Sequence, residues 1–186
     1  MVALSALWLP ILLSSVIVFV ASFLIHTVLP FHRNDFLKLP NEDKVMDALR
    51  PLNIAPGDYM MPKPSSAQDM RSPEFLEKQK RGPVVVMTVF PSGSMSMTPM
   101  LVMWFIYCVV IGVLSAYVAG RALGPGSDYL RVFRFAGTTA FIAYSAALWQ
   151  ASIWFRRSWG ATLRGTIDGL VYGLLTAGTF GWLWPH

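Results

Sequence analysis

The chain has 186 residues, of which 54 % are hydrophobic and only 13 % are charged. A soluble domain carries about 25 % charged residues, so this composition excludes an ordinary soluble domain and favours a protein that lies in lipid. The net charge of +5 comes from Lys and Arg residues that lie beside apolar segments and form no continuous run, which indicates a role in membrane topology and argues against nucleic-acid binding.

Four apolar segments are long enough to cross a bilayer, because a spanning helix needs about 20 mostly apolar residues. They are residues 4–29, 100–120, 133–155 and 163–184. The first segment lacks a basic N-terminal region and a small-residue cleavage pattern, so we predict a mature helix there and not a signal peptide. The sequence therefore predicts an all-α membrane protein, with residues 1–186 folded as a single domain, a bundle of four transmembrane helices.

The long loop between the first two spans covers residues 30–98 and holds most of the prolines. Helix signals occur in it twice, at 41–50 after an Asn cap and at 72–82 after a Ser cap followed by Pro. The proline-rich run 56–64 predicts an extended connector. The β-branched run 84–90 is too short to span a bilayer and predicts a strand or an interfacial segment.

Basic residues divide unevenly between the two sides of the predicted bundle. The first and third loops hold twelve Lys and Arg residues and the second holds three. Because positive residues concentrate on the cytoplasmic side, the long loop is predicted to lie in the cytoplasm and both termini outside. The single cysteine, Cys108, lies in an apolar run, so no disulfide can form within one chain.

Small residues recur at every fourth position along the last span, which places them on one helical face. They are Gly165, Gly169, Gly173, Ala177 and Gly181, and the second span repeats the pattern around Gly112. Such ladders let two helix backbones approach closely in lipid. Two interpretations stay open: the ladders seal the bundle itself, or they contact a second copy or a larger membrane complex.

Polar residues inside spans are costly and are functional candidates by default. Here they are His26, Gln150 and Asp168, each about one turn from helix ends that face the same side, with Arg164 one turn before Asp168. A candidate polar pocket at this level could relay protons or bind a small polar substrate. In the alternative interpretation, Asp168 pairs with Arg164 and His26 reaches the membrane interface.

Other chemistry is scarce in this sequence. No catalytic triad or phosphate-binding loop occurs, and one intramembrane histidine argues against a haem held by two, so we expect no enzyme activity, no cofactor and no metal site. Methionines at the start of the second span are soft ligands for Cu(I), although methionine is also a common gap-filler in apolar cores. They are Met95, Met97, Met100 and Met103.

At residues 39–52, 56–64, 71–84 and 168–185 the chain resembles small bacterial inner-membrane proteins to which no function is attached. The resemblance implies a multi-pass protein of the inner (cytoplasmic) membrane and brings no activity, substrate or cofactor.

Two functional hypotheses follow from the sequence. The first is a non-enzymatic accessory or packing subunit, which meets the lipid bilayer and forms a homo-oligomer or joins a larger membrane complex through its small-residue grooves. The alternative is a small transporter or proton-coupled channel that uses His26, Gln150 and Asp168. A water-accessible cavity at the level of these three residues favours transport, whereas a dry bundle with an exposed apolar groove favours a subunit.

Overall fold

The structure is a computed structural model that describes all 186 residues. The chain folds into two compact units, one formed by Met1–Leu37 together with Ser96–His186 and the other by Lys38–Met95. The second unit comprises most of the long loop between the first two predicted spans. Its physical basis is a small sheet, described below, that pairs segments within the loop.

The structure is mostly helical, which agrees with the predicted all-α class. In chain order the helices are α1 (Trp8–Phe23), α2 (Glu42–Leu49), α3 (Pro73–Arg81), α4 (Thr98–Ala122), α5 (Tyr129–Ser145), α6 (Leu148–Phe155) and α7 (Trp159–Trp182). A 3-10 turn, Leu4–Leu7, leads into α1, and a π-helical turn, Leu24–Val28, extends it. Two strands, β1 (Gly57–Met61) and β2 (Val85–Val89), complete the secondary structure.

Two continuous helical segments are long and apolar enough to cross a membrane, Leu4–Val28 and Thr98–Ala122. Their mean hydropathies, 2.4 and 2.3, come from nearly uninterrupted apolar sequence. They correspond to the first two predicted spans. The third predicted span, 133–155, is not one helix, because α5 ends at Ser145 and α6 begins at Leu148.

The small-residue ladder of α7 packs against α5 and α6 within the same chain. A Cβ added to Gly169 would lie 2.8 Å from the Cβ of Ser145, and one added to Gly173 would lie 3.1 Å from the carbonyl oxygen of Gly137. A Cβ added to Gly165 would lie 3.0 Å from the Leu148 side chain, and one added to Gly181 would lie 2.6 Å from the Tyr129 ring. The ladder therefore lets α7 and its neighbours approach closely.

The ladder of α4 packs in the same way against the N-terminal segment. A Cβ on Gly112 would lie 3.3 Å from the carbonyl oxygen of Ile11, and one on Gly120 would lie 2.8 Å from that of Val2. The backbone N–H of Val2 also donates to the carbonyl of Gly120, at 2.8 Å. Close backbone approach thus fixes α1 on α4.

The second unit contains α2, α3 and an antiparallel pair of strands. The hydroxyl of Ser72 accepts a hydrogen bond from the backbone N–H of Phe75 at 3.1 Å, the N-cap that the sequence predicts for α3. The strands pair from Gly57 opposite Val89 to Met61 opposite Val85. The predicted connector is therefore partly a strand, since its backbone groups bond to the β-branched run.

Candidate functional site

Asp168 is the most deeply buried carboxylate of the helical unit. It lies in the third turn of α7 and is 5 % exposed. Gly165 and Gly169 flank it, so neighbouring elements can approach closely around its side chain. A carboxylate buried at such a position needs a partner, because an unpaired buried charge is costly.

Two histidines face this carboxylate from the end of the first helical segment. His26 lies in the π-helical turn after α1, and His32 lies in a 3-10 turn that begins at Pro30. Proline ends the helix and turns the chain, so the two rings stack with centroids 4.3 Å apart and planes inclined by 6°. The histidines, six residues apart in sequence, thereby become neighbours.

Both imidazoles are oriented by an acceptor at Nδ1. The Nδ1 of His26 lies 3.0 Å from the carbonyl oxygen of Ser22, and that of His32 lies 2.8 Å from Oδ2 of Asp35. A carbonyl and an ionised carboxylate can only accept, so we assign the proton to Nδ1 in both rings. Each Nε2 is then left to face Asp168.

The two Nε2 atoms and the carboxylate of Asp168 converge on one point. Nε2 of His32 lies 2.9 Å from Oδ2 of Asp168, and Nε2 of His26 lies 4.0 Å from the same oxygen. All three ligand atoms lie within 4.8 Å of one another. Nε2 of His32 is buried, and despite its short distance to the carboxylate it has no partner in hydrogen-bonding direction.

Arg164 and Asp35 form a second, separate pair. The Nε of Arg164 donates to Oδ1 of Asp35 at 2.7 Å. Burial raises the pKa of Asp35, but the hydrogen bonds from His32 and Arg164 together with the charge of Arg164 outweigh it, so this pKa lies below its ordinary value. Arg164 therefore bonds to Asp35 and not to Asp168, the partner that the alternative interpretation of the sequence gives it.

A cavity of about 290 Å³ opens beside these groups. Four aromatic side chains form much of its wall, and they are Trp104, Tyr107, Tyr144 and Tyr172. The indole N–H of Trp104 donates to the hydroxyl of Ser22 at 2.8 Å, and the hydroxyl of Tyr172 is buried without a partner. The cavity thus has a polar end at the histidines and an aromatic wall along the helices.

The structure brings together only part of the candidate pocket predicted from the sequence. His26 and Asp168 lie close together in the cavity. Arg164 pairs with neither of them and donates a hydrogen bond to Asp35 instead. Gln150 is exposed on α6 and does not line the cavity. The four methionines of the copper hypothesis, 95, 97, 100 and 103, are all exposed.

His32 and Asp35 were not identified as site residues from the sequence. Only polar residues inside the predicted spans were considered, and by hydropathy the first span ends at residue 29. The spacing His-x-x-Asp, directly after a proline at the end of a span, is the local signal that could have found them. The i, i+3 spacing lets the carboxylate reach the ring within one turn.

Comparison with known protein families, curated proteins and solved structures finds no match for this chain. The resemblance to small bacterial inner-membrane proteins therefore stays a prediction. The function of the chain is therefore proposed from the side chains that line the cavity beside His26, His32 and Asp168, called the polar cavity below.

Proposed function

We propose that this chain is a non-enzymatic, multi-pass protein of the inner (cytoplasmic) membrane that binds and transports a small cation in the polar cavity. The observation that carries the proposal is Asp168, a buried carboxylate that faces the cavity. An ionisable group at membrane depth is expensive and marks substrate or ion pathways. The alternative hypothesis from the sequence thus becomes the leading one.

The immediate surroundings of Asp168 support a cation as the occupant, because no Lys or Arg lies within 4.0 Å of its carboxylate. Arg164 is bonded to Asp35, so its charge is already balanced. Arg157 lines the cavity, but its guanidinium lies within 4.0 Å of no carboxylate oxygen. Among the basic side chains, only His26 and His32 place a nitrogen within 4.0 Å of the Asp168 carboxylate. A cation that enters the cavity supplies the charge that a buried carboxylate requires.

We further propose four membrane passes, with α5–α6 and α7 as the third and fourth. Support comes from length, since 24 residues of α7 span about 36 Å of helix against roughly 30 Å of hydrocarbon. Residues 129–155 form a pass of similar length through two helices in series. By the distribution of basic residues, both termini lie outside and the long loop in the cytoplasm.

The accessory-subunit hypothesis stays a prediction with weaker motivation. It requires small-residue grooves that are open to a partner. The glycines of α4 and α7, however, already contact backbone and side chains of their own chain. A stoichiometric protein that co-purifies after gentle detergent extraction would restore it.

Transport is tested with the purified full-length chain in proteoliposomes. Flux of Na⁺, K⁺, Mg²⁺, Co²⁺ and Zn²⁺ is followed with ion-sensitive dyes trapped inside the vesicles. We expect flux of at least one cation above protein-free vesicles, and its loss on Asp168→Asn. The matched control is Asp128→Asn, the same change at an exposed carboxylate before α5. Absence of flux for every cation, or equal flux in both variants, would overturn the proposal.

A further inference from the structure

We infer that the cavity binds a divalent transition-metal cation through Nε2 of His26, Nε2 of His32 and the carboxylate of Asp168. The inference rests on the proposed function, because it names the class of cation that the same cavity takes. It reverses the expectation from the sequence that the chain has no metal site. Two of the three histidines in the chain are involved.

The donor set fits this class of ion. Neutral imidazole nitrogens suit Zn²⁺, Ni²⁺ and Fe²⁺, and a carboxylate completes two-histidine, one-carboxylate sites that leave coordination positions open. Mg²⁺ and Ca²⁺ prefer oxygen ligands and are disfavoured by two nitrogens. The cavity beside the cluster provides space for the remaining ligands, which are water or the unpartnered hydroxyl of Tyr172.

The three donor atoms lie within 4.8 Å of one another, so modest side-chain movements bring them to the spacing of a metal site. Bonds of about 2.0–2.2 Å in a tetrahedral site place neighbouring ligand atoms about 3.3 Å apart. Here Oδ2 of Asp168 lies 2.9 Å from one Nε2 and 4.0 Å from the other. The stacked rings must tilt so that both lone pairs reach one ion, and His26, half exposed, has room to turn.

The groups behind the histidines are those that metal-binding histidines require. Such a ring nearly always donates its second N–H to a carboxylate or a backbone carbonyl, which fixes its tautomer and raises its basicity. Asp35 serves His32 in this way, and the carbonyl of Ser22 serves His26. Arg164 in turn holds Asp35, so the orientation of His32 depends on two layers of contacts.

A simple ion pair between His32 and Asp168 explains fewer features of this cluster than a bound metal ion does. A protonated Nε2 of His32 would pair with the carboxylate at 2.9 Å but would leave Nε2 of His26, at 4.0 Å, without a partner. An organic cation held by aromatic faces also fits poorly, because the rings of Trp104, Tyr144 and Tyr172 pack on one another with centroids 5.3 to 6.2 Å apart. A metal ion satisfies all three inward-facing donors at once.

The test is equilibrium dialysis of the detergent-purified full-length protein against Zn²⁺, with Co²⁺ absorption as a report of coordination geometry. We expect one ion per chain. His32→Ala and His26→Ala should each weaken binding by about 100-fold, and Asp35→Asn by about 10- to 100-fold through the orientation of His32. His186→Ala, the same change at the exposed third histidine, should leave binding unchanged.

A further variant separates a metal site from a structural ion pair. Asp168→His supplies a third imidazole, a ligand set that holds Zn²⁺ well, but it destroys any pairing of a histidine cation with a carboxylate. We expect Zn²⁺ binding to be retained, while circular dichroism and gel filtration confirm that each variant is folded. Absence of Zn²⁺ and Co²⁺ binding, or binding unaffected by His26→Ala and His32→Ala, would overturn the inference.

Failure of the inference and failure of the proposed function give different results. Flux of another cation that depends on Asp168, without Zn²⁺ or Co²⁺ binding, would overturn the metal site and leave transport standing. One bound metal ion per chain without flux of any cation would leave the metal site standing and overturn transport.

Discussion

Replacing Gly169 by alanine is expected to destabilise the helical unit, although alanine is the better helix former. A Cβ at this position would lie 2.8 Å from the Cβ of Ser145, which is closer than carbon atoms normally pack, and 3.4 Å from the Cβ of Tyr144. Both neighbours are fixed on α5, so one of the helices has to move. The sequence alone predicts a mild effect for alanine in the ladder, and the distances argue for a larger one.

The magnitude follows from two opposing effects. Gly to Ala within a helix gains about 1 kcal/mol in propensity, whereas overpacking a tight contact costs about 1 to 3 kcal/mol. Gly169→Ala should therefore lose about 1 kcal/mol overall. The matched control is Gly178→Ala in the same helix, where a Cβ would meet only the Tyr129 hydroxyl at 3.7 Å and about 1 kcal/mol should be gained.

The assay is thermal unfolding in mild detergent, followed by circular dichroism of the full-length protein. We expect the order Gly178→Ala, wild type, Gly169→Ala, with Gly169→Leu the least stable because the larger side chain adds to the same clash. If Gly169→Ala unfolds at the same temperature as Gly178→Ala, then α5 and α7 do not lie in this close contact and the packing argument is wrong.

Three further predictions concern the topology and the second unit. In a Cys108→Ala background, Ser66→Cys should resist an impermeant thiol reagent added to intact cells, and rapid labelling would place the long loop outside. Hydrogen bonds from the backbone and hydroxyl of Ser65 lower the pKa of Asp69, so order in this turn should persist at neutral pH and fall as the pH drops below about 4. The protection factor of the residue 65 amide, which is its exchange rate corrected for the intrinsic effect of pH, measures this loss, and a protection factor that does not change with pH would contradict it. Ser72→Ala should cost α3 about 1 kcal/mol through loss of its N-cap, seen as faster exchange in its first turn.

Hydropathy predicted the two most apolar helices well because their sequences are nearly uninterrupted. The segments 4–29 and 100–120 correspond to Leu4–Val28 and Thr98–Ala122. The break after Ser145 was not predictable in this way, since residues 146 and 147 are both alanine and favour helix. Local propensity therefore does not explain that boundary.

Some residues of the candidate site could be predicted from the sequence and others could not. The cost of polar groups in lipid selected His26 and Asp168, which lie 4.0 Å apart, and the same criterion selected Gln150, which is exposed. Depth along a helix gives no information on rotation about its axis, and the rotation of α6 after the break could not be derived. His32 was missed because its position depends on how the chain turns after Pro30.

The packing residues and the polar cluster depend on each other. Asp168 can be buried only because Gly165 and Gly169 beside it leave room for neighbouring elements to close over its side chain. Larger residues at these two positions would hold the elements apart and admit water, which stabilises a carboxylate without help from histidines. Close packing thus keeps water away from the carboxylate, and a cation bound at the proposed site would supply the charge that it lacks.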